Sequence, residues 1–186
     1  MREATPGNLI RAAASPEEVQ KIITHEDNSG IALLKNESAD FKGQTKIFVN
    51  GLGQSTVPFY DFHITLGMVP AMVHTDPQDI AIIGMGAGAT LFAAGGRHET
   101  KSLTCIEIVK PLLLSLMDHE DRRTYPGLHS IFNDGRINYV FGDGRSVILN
   151  GDKKYDIIEA DALRTTSAYS GNLFSVEYFQ LLKNHL

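Results

Sequence analysis

The sequence predicts an α/β protein built on a doubly wound parallel sheet, preceded by a small antiparallel β-unit. Two observations carry this prediction. The apolar run at residues 80–83 is short, does not alternate with polar residues and stops at a glycine, as buried strands do. From that point strand-like and helix-like segments alternate, a pattern that favours parallel strands joined by right-handed crossovers.

Residues 1–57 are expected to form the N-terminal β-unit. The runs KIITHE, IALLKN and KIFVNG have the composition of strands, and the segments DNSG and NGLGQS carry the residues of turns and hairpins. Residues 58–186 are expected to form a second, ligand-binding unit. It begins with a helix that ends near HTDP, on which Phe62, Leu66, Val69 and Val73 share one face.

The remaining elements follow from changes in hydrophobic periodicity. Pro111 is expected to open the second helix of the α/β region, with Leu112, Leu113, Leu116 and Met117 facing inward. The expected order is a strand at 80–83, a helix to about 94, a strand at 103–108, the Pro111 helix, a loop at 122–136, a strand at 137–141, a short helix from Arg145, a strand at 155–160, a polar loop and a helix from about 174.

Composition limits the classes of partner. The chain has 17 Lys and Arg against 22 Asp and Glu, and no clustered basic stripe, which disfavours nucleic acid and anionic membranes as partners. Its single cysteine, Cys105, lies in an apolar run, so we expect a buried side chain, no disulfide framework and a reducing compartment. The apolar runs have only the length of strands, and the start resembles no signal peptide, so we expect a soluble cytoplasmic protein. The seven histidines lack metal-ligand spacing, and no metal is expected.

The turn after the first parallel strand predicts a nucleotide or nucleoside site. Gly84, Gly86 and Gly88 remove every second side chain, leaving backbone N–H groups and a helix start directed at whatever lies above the strand. Gly84, Gly86 and Ala89 also satisfy the looser dinucleotide pattern G-x-G-x-x-A. The alternative is a tight strand-to-helix connection without a ligand.

Acidic residues end the next three strands. Glu107 is placed to accept hydrogen bonds from ribose hydroxyls, Asp143 can accept from an adenine amino group with Gly144 leaving room for the ring, and Asp161 ends the fourth strand. Open α/β sheets bind ligands at this edge, so the three acids are expected to line one crevice. The alternative is that each acid only caps the following helix or turn.

Four blocks of the sequence carry a resemblance to a known family, in this order: GMGAGA, CIEIV, FGDGR and YDIIEADALRTTSAYSGNLFSVEYF. They resemble the polyamine aminopropyltransferases of the spermidine synthase family, which have a methyltransferase-like Rossmann fold. Upstream, VNGLGQST and FHITLGMVPAMVHTDP resemble the family's strand and helix before the glycine turn. The resemblance extends from about residue 19 to the last residue.

The resemblance implies a binding site for decarboxylated S-adenosylmethionine, S-adenosylmethionine or methylthioadenosine, without a metal. It places the glycine turn and Gln20, His63, Glu107, Ile108, Asp143 and Gly144 at the nucleoside. It makes Asp161 the base that deprotonates an attacking amine, and it places Phe62, Arg164 and Tyr169 at the acceptor amine. Tyr169 either closes over the ligand or only packs the loop against the sheet.

The departures from the family pattern concern the amine rather than the nucleoside. Ala87 stands where the family has the Asp that binds the aminopropyl amine, Phe62 replaces a Tyr, Ile64 replaces a Glu, and Arg164 takes the place of a second polyamine-binding acid. A dicationic amine therefore loses an attractive partner and gains a repulsive one. An acceptor that is a monoamine or bears a carboxylate is favoured over putrescine.

Three functions remain open from the sequence: an aminopropyltransferase, a methyltransferase using the same pocket, and a non-catalytic nucleoside-binding subunit. The chain ends in the helix after the fourth strand, whereas methyltransferase-like sheets continue with further strands. An uncovered edge strand is a liability. We therefore expect either a fragment of a longer protein or a homodimer in which the edge is covered.

Overall fold

The computed structural model describes residues 7, 10, 15–19, 21–36, 43–160 and 173–186. A short helix, α1, is followed by a four-stranded antiparallel sheet in which each strand pairs with the next along the chain. Their bounds are α1 Pro16–Val19, β1 Ile22–Asp27, β2 Gly30–Asn36, β3 Thr45–Val49 and β4 Leu52–Val57. The predicted antiparallel β-unit is thus confirmed.

The second sheet is parallel and has the strand order β7-β6-β5-β8. Its elements are α2 Asp61–Val73, β5 Asp79–Ile83, α3 Ala89–Ala94, β6 Ser102–Glu107, α4 Lys110–Arg122, α5 Pro126–Phe132, β7 Ile137–Phe141, α6 Gly144–Leu149, β8 Ile157–Glu159 and α7 Val176–Lys183. From β5 the chain proceeds outward through β6 and β7, then returns to the other side of β5 as β8. This reversal creates the crevice in which doubly wound sheets bind ligands.

Both faces of the central strand β5 are covered, which explains why residues 80–83 are apolar without alternation. Ile80 and Ile82 of β5 point into a core shared with α2, α3, α4 and α5. Ala81 and Ile83 point to the other face and pack with residues of α6 and α7. The predicted doubly wound α/β fold is therefore confirmed.

The antiparallel sheet contributes to the same core as the parallel one. Ile23, Leu34 and Ile47 belong to the cluster that contains Ile80 and Ile82. Helix α4 packs against β1 and β2. The boundary between two units that we placed after residue 57 stays a prediction. The antiparallel sheet ends at that residue, but residues on both sides of the boundary share one core.

The face of α2 that the sequence pattern singled out is exposed rather than packed against the core. Phe62, Val69 and Val73 are 61%, 47% and 78% exposed, whereas Gly67 and Ala71 are buried. The reason is a close approach of α2 to α3. A Cβ atom on Gly67 would lie 2.2 Å from the carbonyl oxygen of Thr90, so the small residues form the packed face.

Three smaller predictions also differ from the structure. Met117 is exposed rather than inward-facing, because it lies on the outer side of α4. The expected loop at 122–136 contains α5, which starts at Pro126 and buries Leu128 and Ile131. Only the first residues of NGLGQS form a turn, because β4 already begins at Leu52.

The contact between α2 and α3 leads to a first testable prediction. Gly67→Ala is expected to lower the free energy of unfolding by about 1–3 kcal/mol, because the added methyl group collides with backbone atoms of α3 that cannot rotate away. Gly135→Ala is the control, since a Cβ there would meet nothing within 4 Å. Urea unfolding of the two variants provides the measurement, and equal stabilities would contradict the close packing of the helices.

Candidate nucleoside-binding site

The turn between β5 and α3 depends on its glycines. Gly84, Gly86 and Gly88 have φ values of 95°, 53° and 92°, in the left-handed region that disfavours other residues. A Cβ on Gly88 would also lie 2.4 Å from Cδ1 of Ile131. We call residues 84–88 the glycine loop; it turns the backbone sharply at the carboxyl end of the central strand.

Two backbone N–H groups of the glycine loop have no acceptor among the residues that the structure describes. The N–H of Gly84 donates to the carbonyl of Ile106, and the N–H of Gly88 donates to that of Met85, both at 2.8 Å. Among the hydrogen bonds of the described residues, none involves the N–H of Gly86 or Ala87. These two groups can bind a polar ligand atom above the strand.

Glu107 anchors this loop. Its side chain is 7% exposed, and its Oε2 accepts a hydrogen bond from the Met85 N–H while Oε1 accepts one from the Val109 N–H, each at 2.8 Å. Burial raises the pKa of Glu107, and the backbone N–H groups of Val109, Met85 and Ile108 oppose that rise. Each carboxylate oxygen can accept a second hydrogen bond, so the two ribose hydroxyls of a nucleoside remain possible partners.

Asp143 is placed as predicted after β7, but in the structure it caps a helix. Its Oδ1 accepts from both the N–H and the hydroxyl of Ser146 at 2.8 Å, which makes it the N-cap of α6. The capping alternative is therefore real. Both bonds use Oδ1, which leaves Oδ2 available to an adenine amino group.

Gly144 has a packing role in addition to the one expected. A Cβ there would lie 2.4 Å from Cγ2 of Ile83, so glycine lets α6 approach the central strand. Ile108, directly after Glu107, is 55% exposed, and Phe141 at the end of β7 is 41% exposed. These two apolar side chains stand at the carboxyl ends of neighbouring strands, where they can flank an adenine ring.

The first turn of α2 lies beside the start of α3. The hydroxyl of Thr90 donates to the carbonyl oxygen of His63 at 3.2 Å. The ring of Phe62 packs edge-on against the His63 ring, with 5.5 Å between the centroids. Phe62 is otherwise exposed, so its predicted contact with an acceptor amine remains a prediction.

Four predicted site residues lie outside the described residues: Gln20, Asp161, Arg164 and Tyr169. Of their surroundings, the structure describes β8, which ends at Glu159 and pairs with β5. The carboxyl end of β8 therefore lies next to the glycine loop. The predicted roles of the four residues stay predictions.

A cavity in the described part of the chain lies away from this crevice. It is a groove of about 420 Å³ between α2, α3 and α5, lined mainly by apolar residues such as Met68, Met72 and Phe92. Gly95, Arg136 and Ile137 also line it, which places it toward the amino ends of β6 and β7. The strand-end chemistry, rather than cavity size, identifies the candidate site.

The described residues contain neither a metal-ligand cluster nor a membrane-spanning helix. No group of three or more His, Cys, Asp or Glu side chains is arranged to hold a metal ion. No described helix has the length and apolar character needed to cross a bilayer.

The site belongs to a recognisable class of protein. A left-handed glycine loop after the central strand and a buried acid at the end of the neighbouring strand define an α/β protein of the doubly wound type, with a candidate ligand site at the carboxyl edge of its sheet. Residues 60–186 match the model of the spermine/spermidine synthase domain, and the chain belongs to that family.

Individual proteins are also similar to this chain. The polyamine aminopropyltransferase of Thermotoga petrophila is 27% identical over 119 residues, which cover 64% of this chain and 38% of that protein. The one from Pectobacterium atrosepticum is 25% identical over 167 residues, covering 87% and 54%. A solved spermidine synthase in complex with the transition state analogue AdoDATO superimposes with a TM-score of 0.71 at 18% identity, covering 89% of this chain and 53% of that one. The chain thus spans about half or less of the length of these relatives.

Proposed function

We propose that this chain binds an S-adenosylmethionine-type nucleoside at the carboxyl edge of the parallel sheet and takes part in aminopropyl transfer to an amine in polyamine biosynthesis. The observation that carries the proposal is the Glu107 carboxylate, which holds the glycine loop by the Met85 N–H and can still accept from a ribose. Relatives named polyamine aminopropyltransferase support the reaction type. The AdoDATO complex of a structural neighbour supports a nucleoside ligand, with decarboxylated S-adenosylmethionine as the proposed donor.

The proposed reaction is a displacement at carbon. The lone pair of the acceptor nitrogen attacks the methylene carbon next to the sulfonium, a C–N bond forms, and the C–S bond breaks with its electrons going to sulfur. The products are an aminopropylated amine and methylthioadenosine. Because the attacking nitrogen is protonated at neutral pH, it must first lose a proton. We assign to Asp161 the role of the base that accepts this proton.

The acceptor is proposed to be a monoamine or an amine with a carboxylate. Ala87 gives the glycine loop no negative charge, and Arg164 adds a positive charge three residues after the proposed base. Both features disfavour a second ammonium group. Ala87 also supports a second candidate, a methyltransferase in which the amine attacks the methyl group of S-adenosylmethionine, because that reaction needs no partner for an aminopropyl amine.

A homodimer in the cytoplasm is proposed as the working form. Helix α2 exposes large apolar side chains, including Met72 at 66% and Val73 at 78%. Such a face favours burial against another chain. The only cysteine, Cys105, is buried in the sheet and free, which agrees with a reducing compartment.

Ligand-dependent stabilisation tests the proposed site. Methylthioadenosine or S-adenosylmethionine at about 100 times its dissociation constant is expected to stabilise the fold by roughly 2.7 kcal/mol, whereas NAD is not. Asp143→Asn is expected to weaken adenosyl binding about tenfold. It retains an Oδ1 acceptor for the cap but turns the second oxygen into a donor that cannot accept from adenine. A thermal-shift series in which NAD stabilises and the adenosyl compounds do not would refute the assignment.

A further inference from the structure

Ser55 belongs to the antiparallel sheet, yet its hydroxyl lies against the glycine loop of the parallel one. A Cβ atom built on Gly86 would be 3.7 Å from Ser55 Oγ. That oxygen is shielded from solvent and has no hydrogen-bond partner among the described residues. A shielded hydroxyl without a partner is destabilising, and at a ligand site it indicates that the partner is the ligand.

A β-bulge precedes this side chain. In the pairing of β3 with β4, Ile47 lies opposite Ser55 and Phe48 lies opposite Gly53, so Gln54 is an extra residue in β4. Bulges bend a strand and change the direction of the side chains beside them. The next hydroxyl along the strand, that of Thr56, donates to the carbonyl of Pro58 at 3.2 Å and so has a local partner. Of these two hydroxyls, that of Ser55 lies at the loop without a partner among the described residues.

The strand order indicates which part of a nucleoside would meet Ser55. Asp143, Glu107 and the glycine loop follow β7, β6 and β5, which are consecutive neighbours in the sheet. With adenine at Asp143 and ribose at Glu107, the substituent on the sulfur lies over the glycine loop. The loop side chains there, Met85 and Ala87, are apolar and buried, so the loop itself supplies no side-chain acceptor for an ammonium group.

We propose that Ser55 Oγ accepts a hydrogen bond from the amino group on the tail attached to the sulfur, and so favours tailed sulfonium donors over methylthioadenosine. This inference depends on the proposed function, because it requires the nucleoside to lie in the crevice. Ser55 is then a specificity-determining residue contributed by the N-terminal sheet. The tail amino group is common to S-adenosylmethionine and its decarboxylated form, whereas methylthioadenosine has none.

Calorimetric titration of the wild-type chain and Ser55→Ala with these three nucleosides tests the assignment. The variant is expected to bind both sulfonium compounds about ten- to a hundredfold more weakly, as for loss of a hydrogen bond to a charged group, and to bind methylthioadenosine with unchanged affinity. Its melting temperature without ligand is expected to be unchanged or higher, because a shielded hydroxyl without a partner has been removed. Ser55→Cys, which keeps the side-chain size but offers a weaker acceptor, is expected to show the same selective loss.

Ser115→Ala is the matched control. Ser115 is fully buried in α4, and its hydroxyl also lacks a partner among the described residues, but it is not at the glycine loop. This variant is expected to bind all three nucleosides as the wild type does. Unchanged affinities in both Ser55 variants, or an equal loss for all three nucleosides, would overturn this inference but not the proposed function. A wild-type chain that binds none of the three would overturn the proposed function and this inference with it.

Discussion

Substitution of Asp161 by Asn is expected to lower the rate of transfer by about two to four orders of magnitude while leaving nucleoside affinity nearly unchanged. An alkylamine has a pKa near that of a lysine side chain, about 10.4, so almost all of it is protonated at neutral pH and has no lone pair to attack with. A carboxylate beside the reacting carbon can take that proton, and the amide of asparagine cannot. Single-turnover rates with both sulfonium donors and a panel of amines, together with calorimetric dissociation constants, separate the two effects.

Asp152→Asn is the control for this experiment. Asp152 is exposed in the segment before β8, at the opposite end of that strand, and its substitution is expected to leave both rate and affinity unchanged. A companion variant, Arg164→Asp, is expected to increase the use of putrescine relative to a monoamine, because an attractive charge replaces a repulsive one. Full activity of Asp161→Asn, or efficient spermidine formation by the unmodified chain, would contradict the assigned roles.

The parallel sheet could be predicted because each strand is indicated by its own residues and by those that directly follow it. Each strand is a short apolar run, and the residues that follow it, such as Gly84 after β5, directly give the end of the strand. The buried face of α2 could not be predicted this way. Its packing depends on the absence of a side chain at Gly67, and the apolar residues that dominate its periodic pattern face outward. Helix α5 was missed because Pro126 and Gly127 at its start are also typical of loops.

The candidate site, like the fold, could be predicted from sequence only in part. Glu107 and Asp143 could be selected from sequence because the carboxyl ends of neighbouring parallel strands meet at one edge. The contacts that each acid makes in the ligand-free protein could not be predicted from sequence. The hydrogen bond that Glu107 accepts from the Met85 N–H and the cap formed by Asp143 exist only in the folded chain. Ser55 gave no local signal at all, because it reaches the loop only through the packing of one sheet against the other.

Glu107→Ala is expected to abolish stabilisation by adenosyl nucleosides. Loss of two hydrogen bonds from ribose hydroxyls to a charged acceptor corresponds to about 3–6 kcal/mol, or a factor of roughly 10² to 10⁴ in affinity. The substitution also leaves the buried N–H groups of Met85 and Val109 without their acceptor, which loosens the glycine loop. Glu99→Ala is the control, because Glu99 lies before the amino end of β6 and pairs with Arg97. That variant is expected to keep the full ligand response.

The pH dependence of binding distinguishes a ribose-binding carboxylate at position 107 from one that only supports the loop. Burial raises the pKa of Glu107 above its usual value of 4.5. Between pH 4.5 and the raised pKa, the folded, ligand-free protein therefore holds a proton on Glu107 that the unfolded chain releases. The contribution of this group to ligand-free stability is therefore fully present below pH 4.5 and is lost as the pH rises through the raised pKa. Nucleoside affinity is expected to change in the opposite direction, increasing over the same interval, because the ionised carboxylate is the stronger acceptor for ribose hydroxyls. Thermal unfolding and titration calorimetry from pH 4 to pH 8 (about the range in which carboxyl groups with raised pKa values titrate) measure both trends. An affinity that stays constant across that interval would show that Glu107 supports the loop without touching the ribose.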